Sequence, residues 1–169
     1  MAHSDPTFLI VDPVGDAGAL AILKGWREHS GVRFDWRDAT DLSAEDMSAE
    51  DYRAEIDRRI SQASAVAMLI GPTFKALRGG LRVQVEAALQ SGLPVIGMNL
   101  NGNRKHDLPR LPKMLHTRCV LHVSFEQRIV QHALDQWPEE FARSPEAIRA
   151  KGPRCYDPPV YRHFYLLNA

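Results

Sequence analysis

The chain has 169 residues, with 21 lysines and arginines against 21 aspartates and glutamates and a hydrophobic content of 44%, as expected for one folded domain with a substantial core. The balanced charge excludes a general attraction to nucleic acid, and no run approaches the roughly 20 apolar residues that span a membrane. The first residues do not have the pattern of a secretion signal. We therefore expect a cytoplasmic protein whose partners are small molecules or proteins.

The cysteines and histidines do not have the spacing of a metal site. Cys119 and Cys155 stand alone in the sequence, and the seven histidines include no HExxH motif or other close pair of ligands. We therefore predict two free thiols and no metal ion.

Short apolar runs alternate along the chain with segments of helical periodicity. The apolar runs predict five strands, at residues 7–11, 32–36, 65–71, 93–100 and 118–125. The strands are nearly all apolar, and helical segments separate most of them, which is typical of a parallel sheet covered on both faces. We predict an α/β fold with a doubly wound, five-stranded parallel sheet in the flavodoxin-like order 2-1-3-4-5.

Capping signals predict where several helices begin or end. Asp16 is a candidate cap for the first helix, and Gly31 is its predicted stop. Ser48 is the candidate cap of the second helix. Ser124 and Gln127 match a capping box for a helix after the fifth strand.

The end of the chain has a different pattern. Ser144-Pro145 predicts the start of a short helix. Residues 152–169 are rich in proline and aromatic side chains and fit neither periodicity, so we predict an irregular arm with buried aromatic rings. We divide the chain into an α/β domain at residues 1–137 and a helical and irregular extension at residues 138–169, packed on the same domain.

The predicted ligand site lies where the strand order reverses, outside the carboxyl ends of the first and third strands. The loops there are DPVGD at residues 12–16 and GPTF at residues 71–74. The helix that follows brings Arg82 and Glu86 to the same edge. Nucleotide motifs of the GxGxxG and Walker types are missing, and Gly71 stands where a receiver domain has its acceptor aspartate.

Each candidate also has a purely structural interpretation. Arg82 and Glu86 are four residues apart, the spacing of an ordinary exposed ion pair on a helix. Asp12 and Asp16 are typical turn and capping residues. The acidic loop at residues 37–49 is typical of a solvated surface. Pattern alone favours these interpretations.

Four segments carry a family pattern: TFLIVDPVGD, the charged second loop, IDRRISQASAVAMLIGPTF and RVQVEAALQSGLPVIGMNL, together about residues 7–125. Their order resembles that of the TIR-like family. The pattern is most similar to small bacterial TIR-like proteins of Thoeris anti-phage defence, in which a strand ending in LIG precedes a helix with a central glutamate and then GKPIIG. MLIG, Glu86 and GLPVIG stand at those places in this chain.

The resemblance implies an enzyme that cleaves the bond between nicotinamide and ribose in NAD⁺. It would be an NAD⁺ glycohydrolase or an ADP-ribose cyclase that makes a signalling nucleotide, with NAD⁺ as substrate and no cofactor. Glu86 would be the catalytic residue, since a carboxylate near the ribose stabilises the positive charge that develops there. The ligand-binding residues that the resemblance implies are Asp12, Gly15, Gly71, Thr73, Phe74 and Arg82, with Phe74 as a stacking surface.

Two departures from the family pattern lead to alternatives. Val85 and Arg82 stand where relatives have aromatic residues, and Asp12-Pro13 replaces a serine followed by an aromatic residue. One alternative is a non-enzymatic TIR-like adaptor that acts by self-association or with a defence-system partner, using residues 37–49 or the aromatic tail. Another is a nucleoside deoxyribosyltransferase-like enzyme, which also uses a glutamate against a glycosidic bond.

Overall fold

The computed structural model describes residues 6–29 and 31–166. The strands in this part of the chain are β1 (Thr7–Ile10), β2 (Trp36–Arg37), β3 (Ala65–Ile70), β4 (Val95–Asn99), β5 (Val120–Ser124) and β6 (Arg154–Cys155). The α-helices are α1 (Ala17–His29), α2 (Ala49–Ser61), α3 (Leu81–Gln90), α4 (Gln127–Arg143), α5 (Glu146–Arg149) and α6 (Pro158–Leu166). Short 3-10 helices lie at Phe74–Ala76, Leu108–Arg110 and Lys113–Leu115.

The strands form one parallel sheet in the order β2-β1-β3-β4-β5-β6. The predicted α/β class, the parallel sheet and the order of the first five strands are confirmed. The predicted number of strands is corrected, because β6 pairs with β5 and extends the sheet to six. With only two residues, β6 is too short to produce a recognisable periodicity.

Alternate residues of each strand pack against different helices. Phe8 and Ile10 belong to a core shared with α2 and α3. Leu9 and Val11 belong to a second core shared with α1 and α4. Both faces of the sheet are therefore buried, which explains why the central strands are almost entirely apolar.

The capping predictions had mixed outcomes. Ser48 caps α2, since its hydroxyl accepts a hydrogen bond of 3.1 Å from the Asp51 amide. Gly31 follows α1 with a φ of 67°, a left-handed conformation that suits glycine. The capping box before α4 was wrong, because Ser124 ends β5 and Glu126 occupies the N-cap without a side-chain hydrogen bond.

The described part of the tail forms regular elements, so the predicted irregular arm was wrong, whereas the predicted burial of an aromatic ring is confirmed at Tyr161. Its residues form β6 and α6 as far as Leu166, and positions 167–169 lie outside the described residues. Tyr161 is only 1% exposed, and its hydroxyl accepts a hydrogen bond of 3.2 Å from the Ser124 amide. The predicted short helix after Ser144-Pro145 is α5. The proposed boundary between residues 137 and 138 falls inside α4.

In the ranges that the structure describes, no helix combines the length and the apolar character needed to cross a membrane.

Candidate functional site

A groove of about 530 Å³ opens at the carboxyl ends of β1 and β3. One wall is the loop after β1, and a second is the loop between Ala39 and Glu45. The third comprises Thr73 and the segment from Arg78 into α3. This switch-point groove lies where the strand order reverses, the position predicted for the ligand site.

Asp12 holds the first wall in place. Its Oδ1 accepts hydrogen bonds of 3.0 Å from the amides of both Val14 and Gly15, and its Oδ2 accepts one of 3.1 Å from the Thr73 hydroxyl. Burial alone would raise the pKa of Asp12, but these hydrogen bonds and the positive charge of Arg78 outweigh burial and lower it. Asp12 therefore presents an ionised carboxylate at neutral pH.

Gly15 is required by the close approach of these groups. A Cβ atom at this position would lie 2.6 Å from Thr73 Oγ1 and 2.8 Å from Asp12 Oδ2. Any larger residue would push apart the loops that follow β1 and β3.

Asp16 is buried behind the groove. Its side chain is packed over Gly71, where a Cβ atom would lie 2.1 Å from Asp16 Oδ1. Its Oδ2 is buried without a hydrogen-bond partner among the described residues. Burial, followed by the negative charge of Asp12, raises the pKa of Asp16 to about 6, although Arg110 opposes the rise. Gly71 thus makes room for Asp16 and does not line the groove.

A buried hydrogen bond forms part of the groove lining. Gln84 and Tyr52 are 6% and 3% exposed, and Gln84 Nε2 donates to the Tyr52 hydroxyl at 2.9 Å. A Cβ atom at Gly80 would lie 1.9 Å from that hydroxyl, so α3 begins directly against Tyr52.

Sequence reasoning missed Gln84, Arg78 and Tyr52 as residues of the groove. A signal for Gln84 existed, since it follows Leu81 by three residues and so lies on the apolar side of α3.

Glu86 points away from the switch-point groove. Two residues along a helix correspond to a rotation of about 200°, so Glu86 lies on the opposite side of α3 from Gln84. Its side chain is 40% exposed, and its Oε1 is 3.8 Å from Nη1 of Arg82, which is 59% exposed. This is the geometry of the ordinary surface ion pair. The expectation that Arg82 and Glu86 face the ligand is therefore corrected.

Some of the other predicted ligand residues line the groove, and the rest do not. Asp12, Gly15 and Thr73 come together in the groove. Phe74 is fully buried in the core between the sheet and α2 and α3, so neither face of its ring is free to stack on a ligand. Gly71 packs beneath Asp16, as described above.

The acidic loop is anchored to α2 through Arg59. The Arg59 guanidinium donates to the Asp38 carbonyl at 2.6 Å, to Asp41 Oδ1 at 2.6 Å and to Glu55 Oε1 at 2.8 Å. The hydrogen bond from Arg59 is the main reason that the pKa of Asp41 is lowered. Part of the acidic loop is thus a fixed wall of the groove rather than a freely solvated surface.

The described side chains include no group of three or more His, Cys, Asp or Glu residues arranged to hold a metal ion. No family model matches the chain, and no curated protein matches it significantly. The fold and site define an α/β protein with a doubly wound parallel sheet and a partly polar groove at its switch point. The geometry of that groove is the basis for a proposal about function.

Proposed function

We propose that this protein is a non-enzymatic TIR-like module of bacterial anti-phage defence that binds a nucleotide in the switch-point groove and acts by assembly. The strand order and the LIG and GLPVIG segments support the TIR-like class. The observation that carries the non-enzymatic assignment is that α3 presents the neutral Gln84 to the groove, whereas Glu86 lies on the outer side of the helix.

The chemistry of NAD⁺ cleavage explains why this difference matters. Positive charge develops on the ribose as nicotinamide leaves, and a nearby carboxylate stabilises it. The amide of Gln84 has no negative charge to offer, and it is already engaged with Tyr52. The Asp12 carboxylate is in the groove, but hydrogen bonds from Val14, Gly15 and Thr73 already engage both of its oxygen atoms.

The polar groups of the groove fit a nucleotide. Arg78 supplies a guanidinium, the group best suited to a phosphate. Asp12 supplies an ionised carboxylate, a group that binds ribose hydroxyls in other doubly wound folds. Apolar lining from Leu42 and Leu81 leaves room for a base.

Calorimetry with NAD⁺ and ADP-ribose tests binding. We expect both ligands to bind, with affinity reduced about tenfold by Arg78→Met because a phosphate contact is lost. Glu86→Gln is the matched control and should bind as wild type. Equal affinity of Arg78→Met and wild type would remove the switch-point groove from the proposal, and no binding at all would contradict it.

A second candidate is an NAD⁺-cleaving enzyme that uses Asp12 instead of Glu86. The observation in its favour is that Asp12 is ionised and lies in the groove. Nicotinamide release that is abolished by Asp12→Asn but unchanged in Glu86→Gln would support this enzyme. Running free nucleosides alongside NAD⁺ distinguishes it from a deoxyribosyltransferase-like activity.

Self-association tests the assembly part of the proposal. Sedimentation velocity of the wild-type protein, with and without ADP-ribose, should show oligomers at high concentration. A monomer under all conditions would leave only assembly with a different defence protein, which co-purification from the native host would have to reveal.

A further inference from the structure

A second cavity lies at the opposite edge of the sheet, where β4 and β5 begin. It has a volume of about 380 Å³. Its polar and reactive lining residues are Thr117, Arg118, Cys119, Glu146 and Arg149. We call it the arginine pocket. It shares no lining residue with the switch-point groove.

The Arg149 guanidinium lies against an aromatic ring at this pocket. Its guanidinium carbon lies 4.2 Å from the centre of the Phe141 ring, which fixes the plane of the group. Its Nε is buried without a hydrogen-bond partner in the described part of the chain. An unpaired buried donor is costly, and such a group in a folded protein calls for a missing partner.

Arg118 adds a second fixed cation. One of its nitrogens, Nη2, donates to the Leu89 carbonyl at 2.9 Å, which orients the side chain without neutralising it. Neither Arg118 nor Arg149 forms an ion pair with a carboxylate of residues 6–29 or 31–166. Glu146 is the carboxylate of the lining, and its side chain is exposed to solvent.

The positive charge of nearby arginines acts on the Cys119 thiol in the pocket lining. Burial raises the pKa of Cys119, and the nearby charges of Arg154 and Arg149 oppose the rise. Cys119 is half-buried in the lining, so its thiol can report on charge at this place.

We propose that the arginine pocket binds a small anion that carries phosphate or carboxylate groups. The guanidinium groups of Arg118 and Arg149, which have no carboxylate partner among the described residues, match the oxygen atoms of such an anion. The cavity has room for a small organic molecule but not for a macromolecule. This site is independent of the nucleotide proposed for the switch-point groove.

Alkylation of Cys119 tests the electrostatic part of the proposal. The Cys119 thiolate displaces iodide from either iodoacetate, an anion, or iodoacetamide, a neutral molecule. The rate with iodoacetate divided by the rate with iodoacetamide does not depend on the fraction of thiolate. Peptide mass spectrometry measures this ratio separately at Cys119 and at Cys155. We expect Arg149→Met to lower the ratio at Cys119 about three- to tenfold and leave that at Cys155 unchanged.

Protection from alkylation tests binding directly. Inorganic pyrophosphate and succinate are each added to the wild-type protein at fixed ionic strength. Slower alkylation of Cys119 by iodoacetamide with either one supports the site and distinguishes phosphate from carboxylate recognition. Arg143→Met is the matched control, since Arg143 is exposed on α4, pairs with Glu139 and lies outside the lining.

Two results together would contradict an anion site in the arginine pocket. An unchanged rate ratio in Arg149→Met, together with no protection by either anion, would show that the pocket is not an anion site. If Arg149→Met fails to fold, Arg118→Met is measured in its place, and an unchanged ratio with no protection there has the same meaning.

Discussion

At the scale of single residues, the burial of Asp16 makes the free energy of unfolding depend on pH. Its folded pKa of about 6 lies above the ordinary 3.8, so the folded state binds more protons between these values. The Asp16 contribution to the free energy of unfolding therefore falls as pH rises from about 4 to 6, and it stays low above that range. The free energy of unfolding of Asp16→Asn, measured relative to wild type, should therefore be about 1–3 kcal/mol higher at pH 7.5 than at pH 4.

Urea denaturation of both proteins at the two pH values measures this difference. The control is Asp46→Asn, at an exposed position of the acidic loop, which should show no such gain. A gain for Asp16→Asn that is the same at both pH values, or larger at pH 4, would mean that the pKa of Asp16 is not raised in the folded protein.

The hydrogen bond between Gln84 and Tyr52 is the second residue-scale test. Gln84→Leu and Tyr52→Phe should each reduce the free energy of unfolding by about 1–2 kcal/mol, because each leaves a buried partner without its hydrogen bond. The double variant should lose less than the sum of the two. Chemical denaturation of the four proteins measures the coupling. Additive losses would contradict it. Gln90→Leu is the exposed control, because the hydrogen bond that it removes, from Arg53, lies at the surface and should contribute less.

At the scale of elements, Arg59 links the acidic loop to α2. Arg59→Met should cost about 1–2 kcal/mol and speed proteolysis within residues 37–49, because the loop loses its hydrogen bonds at Asp38 and Asp41. Arg58→Met is the matched control, since Arg58 pairs with Glu55 on its own helix and is more than half exposed. Equal cleavage rates in the two variants would show that Arg59 does not hold the loop.

Sequence alone predicted the main elements but not the direction of the α3 side chains. The buried strands were predictable because each is a continuous apolar run, and the alternation of strands with helical segments favoured the order of the first five. The polar stripe that Arg82 and Glu86 form by their spacing of four residues was also predictable. Whether that stripe faces ligand or water depends on the packing of α3 against Tyr52, a long-range contact that periodicity does not contain.

At the scale of the whole molecule, the C-terminal segment completes the fold. Tyr161 of α6 is 1% exposed in the core on one face of the sheet, whereas Tyr165 of the same helix is 44% exposed. Tyr161→Ala should reduce the free energy of unfolding by about 3–5 kcal/mol, and Tyr165→Ala by less than about 1 kcal/mol. Thermal and urea unfolding measure both losses. Similar small losses in both variants would mean that α6 is dispensable.

The proposed function treats the whole molecule as a nucleotide-binding module without catalytic activity. The most direct measurement incubates concentrated wild-type protein with NAD⁺ and follows nicotinamide and every ADP-ribose species by mass-resolved chromatography. We predict no release above the rate of NAD⁺ alone, because the carboxylate of α3 faces away from the groove. Nicotinamide release by wild type that Glu86→Gln abolishes would contradict the account and restore Glu86 as the catalytic residue.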